Sequence, residues 1–564
     1  MRYSILYLTL ACLLVLTGAT AAQEEDEYPE EPDFIVGDGE DVEAGDEAAE
    51  DTVEEAEEEE NAYSYVIGVG DDETQVGIQV SNTAEYKLYE SVYDSAAGGK
   101  VYGMQTFEDD LTANVSIDNL VLGGTLRFWQ PRYDDVLTYS RQYKSELFKW
   151  YVGYAGEVAE ARYGTFYTTF GRGLTLHLYD DPIFYDVDNF LEGFYGHVTL
   201  DWLDVKGLVG RGSYDFDPLY TFTDDVRAVE ASFNPFLPWI EIGGGLVSQD
   251  QQVGVDFVSG EAIRKPLLMP SGRLKVTTDY VDFYGEYAAS SGYELEGTEY
   301  VPYDGEAIYA SLVGYLGRNS LRVEYKNYDH FYNHWNSPPE VSFSTKPLDK
   351  SYPGKDEEGY LVQLTYSPLI GLSVSGGYCD AWDSAEEMTR TEYGGEVRWD
   401  AWPWHLVAAG WLHGESKEYG TVGEADYYLY ERDEIWPDLE VSYIFPTGHS
   451  LALHYRHELI EEHEVLGDFG ENDISEQNPQ GSLTYNWPEL FSATVGAQFA
   501  LGDLRTLDEG RDYWITGEVT FHLGPNHDLS VFYGNERGGL VCSGGICREE
   551  PPFDGLRVTL ESRI

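Results

Sequence analysis

Leu439-Glu440-Val441-Ser442-Tyr443-Ile444-Phe445-Pro446-Thr447-Gly448 sets Leu439, Val441, Tyr443 and Phe445 on one face of an extended chain and Glu440 and Ser442 on the other. Successive side chains of a strand point to opposite sides, so the apolar residues share a surface. Pro446-Thr447-Gly448 then ends the segment in a short turn, because proline cannot donate to a ladder. The same alternation sets Val519, Phe521 and Leu523 against Glu518, Thr520 and His522. A strand of this kind buries one face only, against a second sheet or against lipid.

Outward from that stretch, pairs of alternating segments meet at short turns. Segments 308–316 and 321–328 flank Gly317-Arg318-Asn319-Ser320, and 360–366 and 372–378 flank Ser367-Pro368-Leu369-Ile370-Gly371. Further pairs turn at Trp402-Pro403, Trp487-Pro488-Glu489 and Gly524-Pro525-Asn526. Between the pairs lie polar stretches, 329–358, 414–434 and 458–479, which read as long loops. Short turns on one side and long loops on the other is the pattern of outer-membrane barrels, with the short turns periplasmic. A soluble sandwich has no reason to sort its loops so. Counting from residue 63 predicts roughly 22 to 26 strands, with 84–110 and 248–272 ambiguous. The expected fold is therefore all-β, a large antiparallel transmembrane β-barrel over residues 62–564.

The composition agrees. The chain holds 46 Tyr, 13 Trp and 60 Gly, and aromatic rings with polar tips suit a membrane–water boundary. After the first twenty residues no stretch reaches the ~20 apolar residues that a spanning helix needs, whereas a spanning strand needs about 9–11. The last strand is barrel-like: Leu556, Val558, Leu560 and the terminal Ile564 share a face, with Ser562 the exception, opposite Arg557, Thr559, Glu561 and Arg563. A terminal Ile stands where targeting strands of such proteins usually carry an aromatic.

Met1-Arg2, the apolar run 5–16 and Ala19-Thr20-Ala21-Ala22 form a signal peptide over residues 1–22. Thr9 stands where lipidation at Cys12 would want an aliphatic residue, so no lipid anchor is expected. Residues 23–61 contain 21 Asp or Glu and no Lys or Arg, which predicts a disordered acidic periplasmic segment. It serves as a solubilising spacer, or it collects divalent cations or a basic periplasmic partner. Without that segment and Arg2 the chain still holds 82 acids against 33 bases, a net of −49. Phosphates would be repelled, so nucleic acid is excluded as a partner.

Five features carry what chemistry can be read. In an oxidising compartment Cys542 and Cys547, separated by a stretch containing Ser-Gly-Gly, form a local disulfide by default; a metal site would need two further ligands, and none is grouped nearby. Cys379 lies in an apolar strand pattern, as a small buried or lipid-facing residue. Arg172, between Gly171 and Gly173, is a lumen candidate: a constriction Arg that steers anions, or a structural Arg paired with lumen carboxylates. His330, His334 and Trp335 are loop-binding candidates, for a metal, for sugar or lipid-headgroup contacts, or for plain loop packing. The acid surplus favours cations in a wide lumen, and acidic outer loops can hold Ca²⁺ or Mg²⁺ loosely against anionic lipid heads. No cofactor is implied. With 103 acids any carboxylate pair is cheap, no GxSxG or GxxxxGK[ST] stands out, and no enzyme is expected.

At Phe170-Gly171-Arg172-Gly173-Leu174, Tyr325-Lys326-Asn327-Tyr328, Ser337-Pro338-Pro339 and Arg537-Gly538-Gly539-Leu540-Val541-Cys542-Ser543-Gly544-Gly545-Ile546-Cys547-Arg548, the chain resembles a family of uncharacterised bacterial exported outer-membrane β-barrel proteins. The resemblance spans roughly residue 110 to the end, and the CSGGxC motif is its most specific element. It implies a barrel in the bacterial outer membrane and brings no substrate, cofactor or catalytic residue. The expected partners are outer-membrane lipid and lipopolysaccharide, with the barrel-assembly machinery. The expected function is a porin-like, cation-preferring channel for small solutes. The alternative is a non-conducting structural or binding barrel that displays surface loops or scaffolds a periplasmic partner. Trimeric porins usually have fewer strands, which favours a monomer.

Overall fold

A computed structural model describes residues 64–563 apart from stretches in the connections, the longest being 95–98, 130–143, 182–186, 256–261, 344–347, 349–355, 420–426, 467–470 and 503–511. The expected signal peptide, the acidic segment 23–61 and Ile564 lie outside the described residues. Alternation turns into architecture directly. Twenty-four antiparallel strands close on themselves, within the predicted range, with the first, Asp72–Tyr89, paired to the last, Phe553–Arg563, from Ser81↔Arg563 to Tyr89↔Gly555. A short strand, Ser64–Val69, folds back on the start of the first strand. Among the described residues no helix is long and apolar enough to cross a membrane.

The loops sort by end as expected. The turns near residues 118, 201, 279, 317, 370, 402 and 524 share one rim with the start of the first strand and the end of the last. The longer connections share the other rim, where the sorting has exceptions: only two residues link Leu203–Asp217 to Tyr220–Phe233, and two link Val281–Glu296 to Glu299–Leu316. Both ambiguous regions resolve into long strands: Asp72–Tyr89 and Gln105–Ile117 enclose a small hairpin, and Ile240–Val255 pairs with Ala262–Thr277 through a bulge at Gln252/Gly254.

Each wall strand has an apolar outer face and a mixed inner one. On Val281–Glu296, Tyr287 faces outward and is half-exposed, while Tyr284, Glu286, Ala288 and Ser290 are buried inside. The outward band carries Leu246, Leu312, Leu364, Leu453, Val495 and Ile515, a continuous exposed apolar surface of the kind that marks contact with lipid. Trp202, Trp239, Tyr280, Trp402 and Trp404 crowd the short-turn rim, exposed, as an interfacial aromatic girdle.

Two of the expected long loops are corrected by the structure. Most of 414–434 and 458–479 is paired strand, within Trp404–Tyr419, Tyr428–Ile444, Ser450–Leu466 and Glu471–Trp487. Three of these strands run 17 residues, well beyond the about 9–11 that cross lipid. Past the lipid no apolar face is needed, and the backbone ladder continues through charged residues that pair across it. Arg432 Nη1 lies 2.7 Å from Glu462, and His463 Nδ1 lies 2.6 Å from Asp473.

Candidate functional site

The lumen is divided by the chain itself. Every member of the main core cluster lies between Phe166 and Cys379, and it forms where two connections turn inward instead of outward. The first, between Ala159–Phe166 and Leu191–Leu200, folds into a small hairpin, Thr168–Phe170 with Leu176–Leu178, and buries Phe170, Leu174, Leu176 and Leu178. The second follows Asn319–Asp329 and buries Phe331, Asn333, Trp335 and Val341. Apolar side chains in both segments explain the direction, since a loop exposed to water has no use for so many of them.

Backbone bonds stitch the two segments together. His177 N donates to Trp335 O at 2.7 Å and Ser337 N to Gly173 O at 3.1 Å, while Asn336 Nδ2 donates to Leu174 O at 3.0 Å. The wall then receives them. The Trp335 ring lies over Gly212, and its indole N–H donates to Asp224 Oδ2 at 3.0 Å. Gly212 and Asp224 are themselves cross-strand partners, so one rung of the ladder supplies both the space and the acceptor. Phe343 uses a second gap, at Gly377, where a Cβ would come within 2.3 Å of its ring.

Charged groups hold the edges. The Gly171 N–H donates to Glu230 at 2.7 Å, and Glu230 also binds Arg273. Lys326, 1% exposed, bonds Glu340 at 2.7 Å and Glu357 at 2.6 Å, tying the second segment to its own wall strands. Burial nevertheless pushes the Glu340 carboxyl above the usual range, with Glu357 adding repulsion against the pull of Lys326. Farther along, Phe343 N donates to Glu392, which also accepts from His413 and lies 3.4 Å from the buried Cys379 sulfur. Cys379 thus faces inward, the buried one of the two expected settings.

The residues singled out from sequence fall in different places. Arg172 is exposed to the lumen at the tip of the first inward segment; it donates to Tyr309 Oη at 3.1 Å and lies 4.7 Å from the centre of the Tyr284 ring. Trp335 is buried in the core. His334 stands beside it, and burial lowers its pKa to about 4. His330 sits at the rim with positive φ, 3.0 Å from Asp329 and 3.2 Å from Asp356; its hydrogen bond to Asp329 raises its pKa. Asp329, His330 and Asp356 place their ligand atoms within 4.8 Å of one another, geometry that can hold a divalent cation, and His334 takes no part in the trio. Cys542 and Cys547 are directly opposite in the backbone register of a small hairpin at the loop rim; their side chains lie outside the described residues.

Sequence reasoning missed Asp224, Glu230, Tyr284, Glu286, Tyr309 and Lys326. The accessible signal was Tyr or charge at inward positions of strands, as in Tyr284-Gly285-Glu286.

The chain matches the family of unknown function DUF6029 over residues 71–340 and 439–564, starting earlier than residue 110 and leaving the acidic segment outside. No curated protein matches it. Among solved structures it is similar to the translocation pore of the P pilus usher PapC (TM-score 0.39, 11% identity, 86% of this chain and 99% of that one). It is similar also to the siderophore receptor PirA from Pseudomonas aeruginosa (TM-score 0.44, 9% identity, 86% of this chain and 80% of that one). A third is OccK2 from Pseudomonas aeruginosa in complex with glucuronate (TM-score 0.34, 10% identity, 76% of this chain and 98% of that one). These likenesses concern the barrel fold alone. The chain belongs to DUF6029, a family of unknown function.

Proposed function

We propose that the protein is an outer-membrane channel for small solutes, with a cation preference, whose passage runs through the part of the lumen that the inward segments leave free. The observation that carries this reading is the confinement of the core cluster, among the described residues, to residues 166–379. Beyond it, inward positions carry hydroxyls and amides, and pairs such as Thr484–Thr494 and Thr520–Ser530 bond to each other at 2.9 and 2.8 Å. A wall of that kind suits water and polar solute. The surplus of 82 acids over 33 bases outside the leader supports the cation preference.

The same reading takes residues 1–22 as a removed signal peptide and 23–61 as a periplasmic segment open to a basic partner. It includes a Cys542–Cys547 disulfide, loosely held Ca²⁺ or Mg²⁺ at the acidic outer rim, lipopolysaccharide outside, assembly by the barrel machinery, a monomer, and no enzymatic role. A second reading, a non-conducting binding or structural barrel, draws on the packed inward segments.

Conductance of the purified full chain in planar bilayers separates the two. Ohmic current with a reversal potential favouring cations is expected. A barrel closed at all potentials would sink the channel reading, and anion selectivity would refute the preference.

A further inference from the structure

The two parts of the lumen wall differ in chemistry. Where the inward segments dock, the wall offers Leu208, Val226, Val247, Leu267, Met269 and Ala288. From Glu471–Trp487 round to Phe553–Arg563 the inward positions carry Gln480, Ser482, Thr494, Gln498, Thr516 and Thr559 instead, and these line a cavity of about 270 Å³. Hydroxyls and amides each donate and accept, so such a surface matches a partner that does the same. Gly496 keeps it open: a Cβ there would meet the Thr516 hydroxyl at 2.6 Å.

Trp514 lines this cavity and is 2% exposed, yet its indole N–H has no acceptor among the described residues. A buried donor left without an acceptor is costly, and a ligand oxygen at this wall removes the cost. The charges argue against an anionic ligand. Arg557 lies 4.7 Å from the centre of the Phe532 ring, with Glu536 at 3.7 Å and Glu518 at 4.0 Å. Arg537 bonds Glu476 and stands 5.6 Å from the Trp514 ring. Among the described residues both guanidiniums on the wall are answered by carboxylates, which leaves no positive charge there to hold an anion.

We propose that this cavity is a subsite for a neutral saccharide. The proposal rests on the channel reading and names the solute class that passes. Sugar hydroxyls exchange hydrogen bonds with Thr516, Gln480 and Gln498, and one sugar oxygen accepts the Trp514 N–H.

Calorimetric titration of the detergent-solubilised full chain with maltotriose and with cellotriose tests it. Saturable binding of at least one is expected, with a uronic-acid trimer at least tenfold weaker. Thr516→Val, an isosteric change, and Trp514→Phe each weaken that binding about tenfold, the loss of one hydrogen bond. If Trp514→Phe fails to fold, Thr516→Val carries the test alone. Absence of binding by both trimers, tighter binding of the uronic acid, or an unchanged Thr516→Val overturns the subsite. Saccharide binding by a barrel that conducts nothing supports the subsite and overturns the channel reading instead.

Discussion

Replacing Gly212 by valine puts carbon into space that Trp335 occupies. A Cβ at 212 would lie 2.0 Å from Trp335 Cη2, 2.3 Å from Cζ2 and 2.7 Å from Leu191 Cδ2, where contact needs about 3.5–4 Å. The strand backbone is fixed on both sides by its ladder, so the ring must move. Leaving the seat breaks the indole bond to Asp224, whose carboxylate is fully buried. Overpacking costs about 1–3 kcal/mol, and a lost bond to a buried charged acceptor about 1.5–3 kcal/mol. Together they weaken docking of the second inward segment by about 3–5 kcal/mol, a hundred- to several-thousandfold shift toward its release. Single-channel recording should show larger, noisier conductance in Gly212→Val than in the unmodified protein, and limited proteolysis should cut within 330–356. In a Trp335→Ala background the same valine should cost much less, because the clash with the ring has been removed and only the contact with Leu191 is left. A folded Gly212→Val barrel with unchanged conductance and a protected segment would refute the reasoning.

Three further outcomes follow from the same geometry. Lys326→Met strands Glu340 and Glu357 without their cation and should destabilise the docked segment by about 3–5 kcal/mol, seen as proteolysis within 330–356; equal protection contradicts it. Arg172→Ala removes one bond to Tyr309 and the contact with Tyr284, about 1–2 kcal/mol, and should leave the reversal potential unchanged. A move toward stronger cation selectivity would instead show that Arg172 steers anions. His334 titrates near 4 when docked and near 6.5 when released, so its contribution is complete above pH 6.5 and lost as pH falls toward 4, at most about 3 kcal/mol. Glu340, raised by burial, acts in the opposite sense, so the measurement belongs in Glu340→Gln: protease protection of 330–356 should decline from pH 7 to 4, and flat protection sinks it.

Period-two alternation and turn chemistry are local properties, and they were enough to establish strands, sorted ends and an apolar outer face. Leu439-Glu440-Val441 reads the same in isolation as in the wall, because a strand's two faces follow from backbone geometry alone. Local pattern misjudged 414–434 and 458–479 for the same reason: charged residues signal water, and water also surrounds a ladder that continues past the lipid. Closure at 24 strands and the inward turn of two connections needed the tertiary structure. Trp335 and Asp224 are 111 residues apart, and Arg172 and Tyr309 are 137 apart. Which inward positions meet depends on the register of every strand between them, summed around a closed wall. The sequence by itself determined that this chain makes a barrel with an apolar outer face; only the closed structure decided which part of its lumen is filled, and by what.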